Sequence, residues 1–145
     1  MSQLFERIRR AREAGELGVL LETMPYAQSL GLQLEVREGQ VRGVLRHAPD
    51  HVGNPHVPAL HGGVLGALLE TTSMVALLAS TETESMPRII SITIEYHRPA
   101  APADTFARAQ ITRQGRRIAT VRTVAWQDDP DSPVAMAGAQ FLLAV

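Results

Sequence analysis

The sequence predicts one α+β domain in which an antiparallel sheet curls around a single long helix. Three observations carry this expectation. Residues 61–80, HGGVLGALLETTSMVALLAS, are apolar almost all round over a helical length, as in a helix enclosed by other structure. Short segments with apolar residues at every second position surround it, joined by tight turns that favour antiparallel pairing. The 145 residues suit one domain that buries its core without disulfide or metal staples.

The elements follow in chain order. From residue 3 to about 24, Leu4, Ile8 and Ala11, then after Gly15 Leu17, Leu20 and Leu21, recur between charges, the spacing of an amphipathic helix or a pair of short ones. Pro25 is expected to end it. LQLEVREGQVRGVLR alternates at Leu32, Leu34 and Val36, turns at Glu38-Gly39 and resumes at Val41, which predicts a hairpin. DHVGNPHVPAL reads as a loop, and the long helix runs from about His61 to Ser80. After Pro87, RIISITIEYHRPA places Ile90, Ile92, Ile94 and Tyr96 on one face of a strand. Two strands flank RQGRR, at roughly 104–113 and 117–127, and a last one runs from Val134 to the C-terminus. The order is helix, two strands, buried helix, four strands, with neither repeat nor linker.

Composition narrows the function. The net charge is −1 and the pI near 6.5, which gives no electrostatic footprint for nucleic acid or an anionic membrane. All 14 basic residues are Arg. There is no Cys, which removes thiolate metal sites and a Cys nucleophile. His51, His56 and His61 are spaced by five, unlike a helical zinc pair, so no metal is expected. No G-x-S-x-G elbow and no Gly-rich loop with Lys occurs. The first twenty residues carry seven charges and lack the apolar run of a secretory signal, and no stretch reaches 18 consecutive apolar residues. These features lead to the expectation of a soluble, cytoplasmic protein.

The candidate chemistry lies in the long helix. Between Asp50 and Glu82 its Glu70 is the only Asp, Glu, Lys or Arg, and an acid buried among apolar residues is costly unless it has a use. Removed from water, such a carboxylate would serve as a base or nucleophile; equally, it would be a structural acid satisfied by Thr, Ser or backbone donors. His61-Gly62-Gly63 opens the helix, and two glycines there let a ligand approach unpaired amides at the positive end of the helix dipole. Those amides suit a carbonyl oxygen gaining negative charge; the glycines would equally allow tight helix packing. Seven residues separate Gly63 from Glu70, or about 10 Å along the axis at ~1.5 Å per residue. A carbonyl held at Gly63 is therefore out of reach of Glu70 on the same chain. If both groups act on one bond, Glu70 must come from an antiparallel copy of the helix, which predicts a two-fold homodimer with two sites.

HGGVLGALLE, Asn54 upstream, and ISITIEYHRPA followed by RQGRRIATVRTVAW resemble the hotdog-fold acyl-CoA thioesterases of the phenylacetate-pathway type, over roughly residues 28–145. The resemblance implies a hotdog fold, with five to six antiparallel strands curved around the central helix, dimers that often pair into tetramers, and hydrolysis of an acyl-CoA thioester without a cofactor. By the same resemblance, the amide of Gly63 or Gly62 polarises the carbonyl, and the partner subunit's Glu70 activates water or attacks directly. His61 shapes the helix start, Asn54 helps to hold the carbonyl or the water, and Arg98, Arg116 and Arg117 lie where such enzymes contact the nucleotide end of CoA. The chain departs from the pattern in having Glu where many relatives have Asp, and Asn54 seven residues before His61, one more than expected. It also has Ile89 or a neighbour where some relatives place a hydroxyl to orient water. Thr71, Thr72 and Ser73 are the available substitutes.

Two other readings compete. HVPALHGGVLGALLE also places His56 fourteen residues before Glu70, as in hotdog hydroxyacyl-thioester dehydratases. In those enzymes, however, the acid follows the helix-opening Gly by five positions, whereas here Gly63 precedes Glu70 by seven. A non-catalytic acyl-CoA binding protein would keep the pocket without needing the carboxylate.

Overall fold

The computed structural model describes residues 3–80 and 86–143. Its main sheet has six strands, all antiparallel, in the order β1-β2-β6-β7-β8-β5. They are β1 (Leu32–Arg37), β2 (Gln40–Leu45), β5 (Arg88–Tyr96), β6 (Thr105–Gln114), β7 (Ile118–Trp126) and β8 (Ala135–Leu142). One long helix, α3 (Gly62–Ser80), packs against β2, β6, β7 and β8. This is the hotdog arrangement.

Small residues let the helix sit close. Ala107, Ala119, Ala125, Ala135, Ala137 and Ala139 are buried in the sheet, and Val64, Leu65, Leu68, Leu69, Val75, Leu77 and Leu78 fill the space from the helix side. At Gly43 the approach is tightest: a Cβ there would collide with Thr72 Oγ1 and lie 3.2 Å from Leu68 Cδ1. By length and hydropathy α3 matches a membrane span, but half of that window is buried inside the chain, so its apolar content is that of a core helix.

The N-terminal segment covers the other end of α3. Helix α1 (Gln3–Ala14) and a 3-10 segment (Leu17–Thr23) are separated at Gly15, whose φ of 70° breaks the helix. Ile8, Ala11, Leu17 and Leu20 cluster with Val75 and Leu78, and Arg12 Nε donates to Leu78 O at 2.9 Å. The pair of helices ends at Thr23, before Pro25, as expected, but Pro25 itself opens a further short helix, α2 (Pro25–Ser29). Proline lacks only an amide that the first helical position leaves unpaired anyway.

Two other expectations need correction. The segment expected to be a loop at 50–60 forms a small hairpin, β3 (Val52–Asn54) and β4 (Val57–Leu60), after a 3-10 turn at Pro49–His51. The Asn54 side chain accepts from His56 N at 3.0 Å and closes its two-residue loop. In β5 a bulge between Ile89 and Ser91 reverses the alternation. Ile89, Ile92 and Ile94 turn inward, while Ile90, expected on that inner face, is 54% exposed. The β1–β2 turn at Glu38-Gly39 is as expected, with φ of 52° and 76°. The final strand ends at Leu142, and residues 144–145 of the expected run lie outside the described residues.

Gly43→Ala should lower the unfolding free energy by about 1–3 kcal/mol, as overpacking does. Adding Thr72→Ala, which removes the obstructing hydroxyl, should restore part of the loss; urea denaturation of the two variants checks both.

Candidate active site

Two short structures set the start of α3. His51 is buried; its Nδ1 accepts from Ala48 N at 3.2 Å and its Nε2 bonds Leu30 O at 2.8 Å, so the ring ties two segments together. Its carbonyl accepts from His61 N at 2.8 Å. Gly53 then leaves room for the neighbouring imidazole, since a Cβ there would stand 2.7 Å from His61 Cδ2.

His61 caps the helix with both backbone and side chain. Its carbonyl accepts from Val64 N at 3.0 Å and its Nδ1 from Gly63 N at 2.8 Å. Gly63 must lack a side chain for this, because a Cβ would lie 2.9 Å from Nδ1. Gly62 meets a different neighbour: Tyr96, the last residue of β5, donates its hydroxyl to Gly62 O at 2.8 Å, with ring atoms 3.2 Å from where a Cβ would be. Thus the two glycines do allow tight packing, each against a particular side chain. Among the described residues the Gly62 N–H has no acceptor, whereas the Gly63 N–H is held by His61.

Glu70 is not enclosed in the core, as a helix apolar all round suggests. Gly63, Ala67, Glu70, Thr71 and Met74, at helical spacing, form a stripe that the sheet leaves at least partly exposed. The carboxylate borders a groove of about 220 Å³ whose other walls are Met24, Pro25, Tyr26 and Ala27 from the α2 region with Ala67, Thr71 and Met74. No described residue bonds to or pairs with it. Of the three nearby hydroxyls, Thr72 and Ser73 are buried and donate back to Leu68 O and Leu69 O at 2.7 and 2.8 Å, and Ser73 also bonds Thr123. Only Thr71 shares the groove with Glu70.

The remaining candidates are dispersed. Asn54 is exposed on the β3–β4 hairpin with its side-chain oxygen engaged in the turn, and His56 lies in that same turn. Arg98 donates to Ser132 O and borders a cavity with Asp128 and Asp129. Arg116 and Arg117 are exposed between β6 and β7. The pairing of Ile118 and Arg88 with Leu142 puts them at the end of the sheet where β5 begins, while Arg98 follows the end of β5, beside the helix start. Tyr96, which the alternation marks only as a strand residue, belongs to the site; no sequence spacing links it to Gly62, thirty-four positions away.

Comparison with known proteins agrees with this architecture. A family model described as the thioesterase superfamily matches residues 58–134, more than half of the chain. The chain belongs to the thioesterase superfamily. Among solved structures, a protein of Chromobacterium violaceum is 34% identical, with a TM-score of 0.77, over 96% of this chain and 97% of that one. The phenylacetic acid degradation protein PaaI of Thermus thermophilus, solved as a variant, is 26% identical over 81% of this chain and 97% of its own, with a TM-score of 0.67. A protein of Bacillus halodurans solved with CoA shares the fold, with a TM-score of 0.76 and 20% identity over 100% and 96% of the two chains. No protein with a curated description matches the chain. In this superfamily member the glycines and the acid therefore lie on the central helix of a thioesterase fold.

His51→Ala should leave Ala48 N and Leu30 O without their partner and cost about 1–3 kcal/mol of stability. Guanidinium unfolding measures this, and wild-type stability in the variant would show that the buried ring is dispensable.

Proposed function

We propose that the protein hydrolyses acyl-CoA thioesters at two equivalent sites, each shared between two copies of the chain. One observation carries the reading: the Gly62 amide is free at the start of a continuous helix, and the unpaired carboxylate of Glu70 borders a groove eight residues on. At ~1.5 Å per residue the two are about 12 Å apart along the axis, too far to act on one carbonyl. An antiparallel second helix brings the partner subunit's Glu70 opposite Gly62. β5 supplies a surface for such pairing: it is a nine-residue edge strand, hydrogen-bonded on one side only, with Ile90 exposed. Tetramers would be pairs of such dimers.

In this reading the thioester oxygen sits on the Gly62 N–H, at the positive end of the helix dipole. As a base, Glu70 takes a proton from water as the water oxygen attacks the carbonyl carbon. The tetrahedral oxyanion collapses, the C–S bond breaks, and the proton passes to the CoA thiolate, giving free acid and CoA. As a nucleophile, Glu70 displaces the thiolate itself and water then cleaves the anhydride. Thr71 stands beside the carboxylate and is the hydroxyl available to orient that water.

The superfamily assignment supports thioester chemistry, and a fold relative solved with CoA supports that carrier. Exposed Arg116 and Arg117 are suited to phosphate contact, and a two-fold axis that reverses α3 would carry the partner's pair towards the Gly62 end. Arg98 stands at that end already, with its guanidinium engaged by Ser132. The apolar groove beside Glu70 would take the acyl group, with Met74 one turn beyond the carboxylate.

Thiol release from a panel of acyl-CoAs tests the chemistry. Glu70→Ala and Glu70→Gln should each lower kcat by about 10²-fold or more, the usual contribution of a positioned base; activity that survives both would remove Glu70 from the mechanism. Sedimentation at micromolar protein should give a dimer or tetramer mass, and a monomer would contradict the shared site. Met74→Ala should move the preferred acyl chain to greater length, read from kcat/KM across the panel.

A further inference from the structure

We infer that Tyr96 is a positioning residue for the thioester carbonyl: together with His61 it grips the Gly62–Gly63 peptide group and so aims the free Gly62 amide. This rests on the proposal that the Gly62 amide receives that carbonyl. The peptide oxygen accepts from Tyr96 Oη at 2.8 Å, and the peptide N–H donates to His61 Nδ1 at 2.8 Å. One planar group is thus held at both its oxygen and its hydrogen by side chains from different parts of the chain, the end of β5 and the residue before α3.

The grip answers a mechanical need. Two successive glycines have the widest backbone freedom of any pair, and the first amides of a helix lack intrahelical acceptors. An amide left to swing there would meet a developing oxyanion only part of the time, whereas this kind of stabilisation depends on donors aimed in advance. Tyr96 presses on Gly62 from the side a Cβ would occupy, which blocks one direction of rotation, and its hydroxyl fixes the peptide plane.

Packing and hydrogen-bond satisfaction do not account for the contact. In an α-helix the first carbonyl is already taken by the amide four residues on, so the phenol is a second donor that the helix does not require. Nor is Tyr96 a core residue, since it is 53% exposed. Packing of β5 on the helix is supplied by Ile94, whose Cδ1 lies 3.0 Å from where a Cβ at Gly66 would be. What the hydroxyl adds is orientation of the peptide next to the free amide.

Tyr96→Phe removes the hydroxyl and keeps the ring. Steady-state hydrolysis of the best acyl-CoA should show kcat lowered about tenfold, part of the 10²–10³ lost when an oxyanion donor is removed, with KM within twofold of wild type. Thermal unfolding should be nearly unchanged, and amide exchange by NMR should quicken at Gly63, whose N–H belongs to the gripped peptide. In an active enzyme, wild-type kcat, or a rise in KM alone, would overturn the inference. Unchanged exchange at Gly63 would overturn it whatever the kinetics. If the wild type releases no thiol from any acyl-CoA, the catalytic reading fails, and the exchange measurement still decides whether Tyr96 holds the peptide.

Discussion

A helix advances about 1.5 Å per residue and does not fold back on itself, and the functional organisation of this protein depends on that rigidity. Its free amide stands at the first residue of α3 and its unpaired carboxylate at the ninth. The continuous helix through Leu68 and Leu69 holds them apart, fixed by side chains wholly buried against the sheet. No rotamer of Glu70 closes a gap of that size. In the proposed mechanism, cooperation on one carbonyl would therefore need a second chain, and β5 is an edge strand of the sheet.

The same packing decides which side of the helix is available. The six-stranded sheet buries six alanines, Ala107, Ala119, Ala125, Ala135, Ala137 and Ala139, so the helix sinks into it until Gly43 has no room for a methyl group. Its large aliphatic residues are used up on that side and under α1. What stays partly open is the line through Gly63, Ala67, Glu70, Thr71 and Met74, where α2 covers the helix only as far as a groove. Glu70 escapes the cost of full burial because of where it falls on this line, whereas Thr72 and Ser73, two and three residues on, turn their hydroxyls inward onto helix carbonyls.

Much of this was legible in the sequence because it depends on period and spacing. The helix, the Glu38-Gly39 hairpin and the flanking strands follow from apolar repeats, and the separation of Gly63 from Glu70 follows from counting. The failures were non-local. No period announces the bulge that turns Ile90 outward, nor the pairing of Asn54 with Val57 that makes a hairpin of an apparent loop. A helix apolar on every side also conceals which stripe the sheet will cover, and so Glu70 looked enclosed. Tyr96 was recognised as a strand residue but not as a partner of Gly62, because only the fold brings the end of β5 to the start of α3.

The glycines at 62 and 63 show why a structural and a functional explanation of one motif need not compete. Each lacks a side chain because another group occupies the space, Tyr96 in one case and His61 in the other. Those two contacts are the ones that restrain the peptide between them, Tyr96 at its oxygen and His61 at the Gly63 N–H, and the second leaves the Gly62 N–H as the donor without an acceptor. A bulkier residue at either position would loosen the packing and the aim together. Close packing is here the means by which a flexible dipeptide acquires a fixed direction.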